Sequence, residues 1–348
     1  MIFFICLIIN TSGSKPIISL TNGDSNNGVY IHEAVLKDDM SFGPQEYIVD
    51  MEENIYVHDI NTSNDSHIIN RIIKFDSTGK QQFILDKKSV PSINDIWFGP
   101  ITVDPLTNDL IISSSGTIGS TPKNGKIINK SDINLFFLRF KSNGKLAEII
   151  DIKDKGIQGG FLMYDYEGNY YCKNVDGVFK INKDFKTITY IPKREAGIQG
   201  YSQWSGWVSI GSANEYTLTN KEEGKYILKI ENKKTKEMIT FVFYDPPHYG
   251  WGGFIEGKDK LGNIYLNTLS LSFIRVHPMN KEISTVYLSE LGIPCGEGDT
   301  RHSIMISPNG YVYISLLVRN SLNKLLYNIY RITPQNFNVK EKVNWGEK

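Results

Sequence analysis

Along this chain, apolar residues recur at every second position over short stretches, and polar turn residues separate those stretches at nearly regular intervals. Residues 46–80, EYIVDMEENIYVHDINTSNDSHIINRIIKFDSTGK, carry the pattern most clearly. Period-two alternation predicts a strand over EYIVD, a turn at Glu52-Glu53-Asn54 and a second strand through ENIYV. A polar loop, a third strand RIIKFD and a Ser-Thr-Gly turn complete the unit, and nothing in it has the 3.6-residue period of a helix.

The unit recurs six times. Second strands align on Tyr56, Leu110, Tyr171, Tyr216, Tyr265 and Tyr313, with spacings of 54, 61, 45, 49 and 48 residues. That range suits four-stranded propeller blades with variable loops. First strands are EYIVD, ITVD, FLMYD, WVSIG, FIEGKD and SIMIS. Third strands RIIKFD, LFFLRF, GVFKIN, YILKIE, FIRVHP and NIYRIT each set a basic residue among apolar neighbours. Fourth strands such as QQFIL, AEIIDI, ITYIP, ITFVFY and STVYL follow. The expected fold is all-β, a six-bladed β-propeller of four-stranded antiparallel blades over residues 46–345. The fourth unit lacks an Asp before its turn, and the second lacks the turn Gly.

The segments VDMEENIYVHD, NRIIKFD and STGK resemble the strand, turn and third-strand signature of the NHL-repeat propellers and their six-bladed secreted relatives. The resemblance implies the fold and leaves function open, because propellers host enzymes, receptors and scaffolds. In the lactonase-type relatives, Glu, Asn and Asp project from inner strands to bind a metal. The chief inner-strand acids here are Asp50, Asp104, Asp165, Glu256 and Asp259, and most of the aspartates sit at turns, away from a mouth. Glu256 is the exception, so no metal set and no cofactor is expected.

Outside the ring, residues 1–9 are apolar and residues 10–16 are small and polar with a Pro, which predicts a secretory signal peptide over 1–14 and an extracytoplasmic protein. Residues 15–45 are expected to be a polar leader with one strand at 29–36. Either that strand or residues 338–345 could close the sixth blade. The run at residues 1–9 is too short for a transmembrane helix, and no other stretch approaches the ~18 apolar residues that one needs.

Charge narrows the partners. Lys plus Arg and Asp plus Glu number 38 each, so no overall field favours nucleic acid or an anionic membrane. A monomer is expected. Cys172 and Cys295 fall on opposite blades, beyond the ~7 Å reach of a disulfide, and are expected to be free thiols.

The connections between blades are unusually aromatic. NDIWFGP contributes Trp97 and Phe98, GYSQWSGW contributes Trp204 and Trp207, and PPHYGWGG contributes His248, Tyr249 and Trp251. Rings at a channel mouth suit a carbohydrate-like ligand or a protein hot spot, and they equally suit packing between blades. The connecting loop GEGDTRH adds Asp299, Arg301 and His302, which with Glu256 could furnish an acid, an anion clamp and a base. Zinc spacing and a GxSxG elbow are absent. Two functions therefore stand: a binding or scaffold module acting at the mouth, or a hydrolase or lyase acting there on a sugar-like or lactone substrate. A purely structural protein with a sealed mouth is the third alternative.

Overall fold

A computed structural model of the protein describes residues 14–22, 28–29, 46–61, 69–118, 134–152, 155, 157, 162–174, 177–192, 214–222, 225–244, 254–268, 272–294, 300–322, 324–337 and 339–342. Its strands form six antiparallel sheets, the blades of a propeller. Blade 1 holds β3 (Glu46–Val49), β4 (Ile55–Asn61), β5 (Ile69–Phe75) and β6 (Gln81–Leu85). Blade 2 holds β7 (Ile93–Val103), β8 (Leu110–Ile118), β9 (Asn134–Phe140) and β10 (Leu146–Asp151). Blade 3 runs from β11 (Leu162–Tyr164) through β12 (Tyr170–Asn174) and β13 (Gly177–Ile181) to β14 (Ile188–Pro192). Blade 4 shows β15 (Asn214–Glu222), β16 (Lys225–Asn232) and β17 (Met238–Tyr244); its expected first strand, WVSIG, lies outside the described residues.

The last two blades are wider than expected. Blade 5 is β18 (Phe254–Lys258), β19 (Ile264–Thr268), β20 (Ser272–His277) and β21 (Glu282–Tyr287), with β25 (Val339–Lys342) as a fifth strand on its outer edge. Blade 6 is β22 (Thr300–Ile306), β23 (Val312–Arg319) and β24 (Leu325–Ile332), extended by β1 (Ile18–Asn22) and β2 (Gly28–Val29).

Ring closure therefore differs from both expected routes. The strand that completes blade 6 is β1, which pairs antiparallel with β24 from Ile18↔Ile329 to Thr21↔Leu326. Its ISL triplet buries Ile18 and Leu20 against blade 1 residues such as Val57, Ile73 and Phe75. With that place filled, the C-terminal strand pairs instead with β21 of blade 5, Thr285↔Val339 to Glu282↔Lys342. Of the segment 29–36, only Val29 is described, in a short strand parallel to β1.

Antiparallel order puts the first-to-second and third-to-fourth turns of each blade on one face of the ring, the turn face. The opposite face is the loop face. Alternate side chains of each strand pack against the two neighbouring blades. In β4, Val57 faces blade 6 while Tyr56 packs toward blade 2.

Two sets of polar contacts knit the turn face together. The basic residue of the third strand reaches the turn that follows the next blade's third strand. Lys74 donates to Ser142 O at 2.6 Å, Arg275 to Pro334 O at 3.1 Å and Arg331 to Ser77 O at 3.0 Å, each also lying over an aromatic ring. Nearer the axis, an aspartate ending the first strand anchors the turn. Asp50 Oδ1 accepts from Glu52 N and Asn54 N, and its Oδ2 accepts from Asn54 Nδ2 and, at 3.5 Å, from Tyr56 OH. Asp165 does the same with Glu167, Asn169 and Tyr171, and Asp259 with Leu261, Asn263 and Tyr265.

Blade 6 has Ser307 where the aspartate would stand, and its carboxylate comes from blade 1. Glu53 accepts from Tyr313 OH at 2.7 Å, Asn309 Nδ2 at 2.8 Å and Ser307 Oγ at 3.0 Å. Glu53 adopts φ 64°, a left-handed conformation costly for a residue with a Cβ, and these three bonds hold it there.

Candidate functional site

Two rings of blade 3 reach across the channel at the turn face. Tyr164 and Tyr166 stand edge to face with centroids 5.9 Å apart, Tyr164 packs against the cores on both sides of blade 2, and Tyr166 donates to Lys258 O of blade 5 at 3.0 Å. Burial, aided by the charges of Asp50 and Glu53, raises the Tyr164 hydroxyl pKa. Burial also raises that of Tyr166, beside Tyr164 and Asp259. Two rings from one blade thus meet groups from blades 1, 2 and 5 across the axis.

Toward the loop face, the inner strands of blades 5, 6 and 1 lie side by side, β18 against β22 and β22 against β3. On them sits an arc of polar groups. Glu256 accepts from Asn267 Nδ2 at 3.0 Å, which orients the carboxylate from the second strand of its own blade. Tyr47 OH donates to Ser303 O at 3.3 Å, and Ser303 N donates to Ser315 Oγ at 2.9 Å. Burial first, then neighbours including Glu256, pushes the Tyr47 hydroxyl well above its ordinary range, so it remains a neutral donor.

β-bulges set the positions of two candidate residues. The β18–β19 register shifts between Ile255 and Gly257, making Glu256 the extra residue; the β22–β23 register shifts between Arg301 and Ser303, making His302 the extra residue. Bulges turn a strand locally and re-aim what it carries. Gly257 lies so close to blade 6 that a Cβ there would stand 3.1 Å from an Ile306 side-chain carbon, so the two inner strands are tightly apposed.

These placements correct parts of the sequence reading. Arg301 and His302 belong to strand β22, where loop positions were expected, and their backbone brings them onto the strand beside that of Glu256. NDIWFGP, read as a connecting loop, forms the first half of β7, with two register shifts and Asp95 at φ 50°. Phe98 is buried in the core between blades 1 and 2, so packing accounts for it. Trp97, half-buried, pairs with Ser115 on β8. Trp204, Trp207, His248, Tyr249, Trp251 and Asp299 lie outside the described residues.

Other chemistry is tied up in structure. Asp59 is fully buried and bonded to Arg71 at 2.8 Å; Arg71 also donates to Gly28 O and so holds β2 to blade 1. Cys172 is a buried free thiol whose pKa burial raises to about 12, which leaves it protonated and unreactive; Cys295 is outside the described residues. Among the described residues no group of three or more metal-ligating side chains converges, and no helix is long and apolar enough to cross a membrane.

No family model matches the chain, and no curated protein matches it. Solved propeller structures are similar to it at low identity. The Hadza microbial sialidase Hz136 is 11% identical with a TM-score of 0.35, over 82% of this chain, and the chain spans 65% of that protein, under two thirds of its length. The polysaccharide lyase Uly1 is 10% identical with a TM-score of 0.36, over 93% of this chain and 98% of the lyase. The WD40 propeller domain of Doa1 is 9% identical with a TM-score of 0.32, over 94% and 99%. Scores of this size say nothing about the site, and the propeller assignment rests on the six paired sheets.

Proposed function

We propose that the protein is an extracytoplasmic binding module that holds a small carbohydrate-like ligand at the loop-side end of its channel. The observation that carries this reading is a channel that Tyr164 and Tyr166 reach across at its turn-face end, with Glu256 and Ser303 on adjacent inner strands toward the other. Such a channel is a cup rather than a passage. An oriented carboxylate and hydroxyl groups suit polyhydroxylated ligands, and the half-buried Trp97 on the inner strand of blade 2 is an aromatic on which such a ligand could stack. The apolar stretch at residues 1–9 fits work outside the cytoplasm.

The test is a saccharide library screened by thermal shift against the wild type, Glu256→Gln and Trp97→Ala. The reading predicts stabilising saccharides whose effect both substitutions diminish. A hit that ignores both substitutions, or no hit at all, would contradict it. One observation favours a second reading, a hydrolase or lyase at the same place: Arg301 and His302 share a strand that neighbours the strand of Glu256. Turnover of a bound saccharide by the wild type, lost in His302→Ala with binding retained, would establish that reading.

A further inference from the structure

We infer that the turn face binds a small oxyanion, the carboxylate or phosphate group of a small molecule, at the seam between blades 4 and 5, where Lys258 lies over the ring of Tyr216. The inference is independent of the cup reading, because the cup opens toward the opposite face.

The seams of the ring follow one plan at the turn face. The tyrosine of a second strand shares a core with an aliphatic residue of the next blade, the one just before that blade's first turn: Tyr313 with Val49, Tyr56 with Val103 and Tyr265 with Ile306. Each of these hydroxyls also meets a carboxylate, Glu53, Asp50 and Asp259 in the same order.

Blade 4 departs from the plan on both counts. Lys258, just before Asp259, holds the place of Val49, Val103 and Ile306, and its Nζ stands 5.9 Å from the Tyr216 ring centroid. Ile210-Gly211-Ser212-Ala213, ahead of the strand of Tyr216, supplies no acid. Blade 6 also lacks its own aspartate, and there the next blade lends one: Glu53, three residues after Asp50, crosses the seam. The same place in blade 5, three residues after Asp259, is Gly262. It has the left-handed backbone of Glu53, φ 83° against 64°, and a Cβ added to it meets no described atom within 4 Å. The seam therefore has neither an acid of its own nor a borrowed one, and the space in which a borrowed one would start is open.

Positive charge gathers there instead. Lys258 is half-buried, and among the described residues its ammonium has no hydrogen-bond acceptor or carboxylate partner, only the Tyr216 ring. Tyr166 holds the strand in place by donating to Lys258 O at 3.0 Å. Burial first, then the like charge of Lys233 on the turn after β16, lowers the Lys258 pKa. Asp165 opposes that shift, but its oxygens are taken by turn amides, Asn169 and Tyr171. Lys233 is itself favoured by the charge of Glu215. A desolvated ammonium next to a second one gains strongly from an anion. The oxyanion takes the part that Glu53 plays between blades 6 and 1, so the turn face binds at the seam whose carboxylate is missing.

Thermal unfolding of the full-length protein tests this in millimolar potassium phosphate, acetate or chloride at equal ionic strength, where general salt effects are small. Phosphate or acetate should raise the wild-type melting temperature by about 2 °C or more over chloride, and the more effective of the two identifies the group. Lys258→Met should melt no lower than the wild type in chloride, since a thioether packs on Tyr216 as the aliphatic residues do at other seams, and it should lose the oxyanion response. Gly262→Glu builds in the carboxylate at the place of Glu53 and should lose the response as well. Equal melting of the wild type in all three salts overturns the inference, and so does a response that survives in either variant. A Lys258→Met protein that melts below the wild type in chloride, or does not fold, also overturns it, because the ammonium is then a structural pin. Should Gly262→Glu fail to fold, the three salts on the wild type and Lys258→Met decide.

Discussion

The two ends of the channel use the same residue types differently. At the turn face, carboxylates are saturated: Asp50, Asp165 and Asp259 each collect turn amides, an Asn side chain and a Tyr hydroxyl, and Glu53 collects three side-chain donors from blade 6. At the loop face, Glu46 and Glu256 are partly exposed, Glu46 oriented by Ile101 N and Glu256 by the Asn267 side chain. A saturated carboxylate has no bonding capacity left for a ligand and contributes to stability. A partly exposed carboxylate that the protein orients is placed for binding. The lesson is that in this propeller an acid's neighbours, more than its strand, separate structural from functional roles.

Substitutions can break that comparison, and the largest effect is expected at Asp259. Asp259→Ala strands two turn amides, the Asn263 amide and the Tyr265 hydroxyl, and should lower unfolding free energy by about 4 kcal/mol in urea denaturation. Glu53→Ala should cost about 3 kcal/mol, because Tyr313, Asn309 and Ser307 lose one acceptor group together across the blade 1–blade 6 seam. Glu53→Gly should cost about 1 kcal/mol less than the alanine variant, since glycine relieves the left-handed backbone at φ 64°. That order reverses the usual penalty for glycine and makes the strain measurable. Arg331→Met should cost about 1 kcal/mol, the loss of its bond to Ser77 O and its position over Tyr311.

The smallest effect is on pH dependence. Burial raises the carboxyl pKa of Glu53 against the lowering influence of Tyr313, Asn309 and Ser307, and burial raises that of Asp50 likewise. A carboxyl raised in the folded state favours folding most below its unfolded pKa, about 4.3 for Glu, and that contribution is lost as pH rises through the folded value. The stability gap between wild type and Glu53→Gln should therefore widen as pH falls from neutral toward about 4. A gap that narrows over that window would show Glu53 to be better satisfied as a carboxylate than its surroundings indicate.

Much of this architecture is legible in the sequence. Local alternation marks the strands, and the recurring aromatic of the second strand marks the blade. The aspartates ahead of the turns are identifiable as turn residues, and the third-strand basic residues stand out even though their partners lie in the next blade. What escapes is long-range or irregular. ISLTN is a short strand in a polar leader, and its partner is near Ile329, over three hundred residues away. The β7 strand through NDIWFGP is disguised by a Gly-Pro pair and two register shifts, which interrupt the period that reveals a strand. Arg301 and His302 read as loop for the same reason, because the bulge falls at their position. Glu53 looks like an ordinary turn residue until Tyr313, 260 positions later, is seen to need it.

The division between the two ends is tested most directly by urea denaturation of Glu256→Gln beside Glu53→Ala under one set of conditions. A glutamine in place of Glu256 can still accept the bond from Asn267, so the Glu256→Gln variant should unfold within about 0.5 kcal/mol of the wild type while Glu53→Ala falls by about 3 kcal/mol. Comparable losses in both, or a larger loss at Glu256, would contradict the assignment of the turn face to stability and the loop-side inner strands to binding.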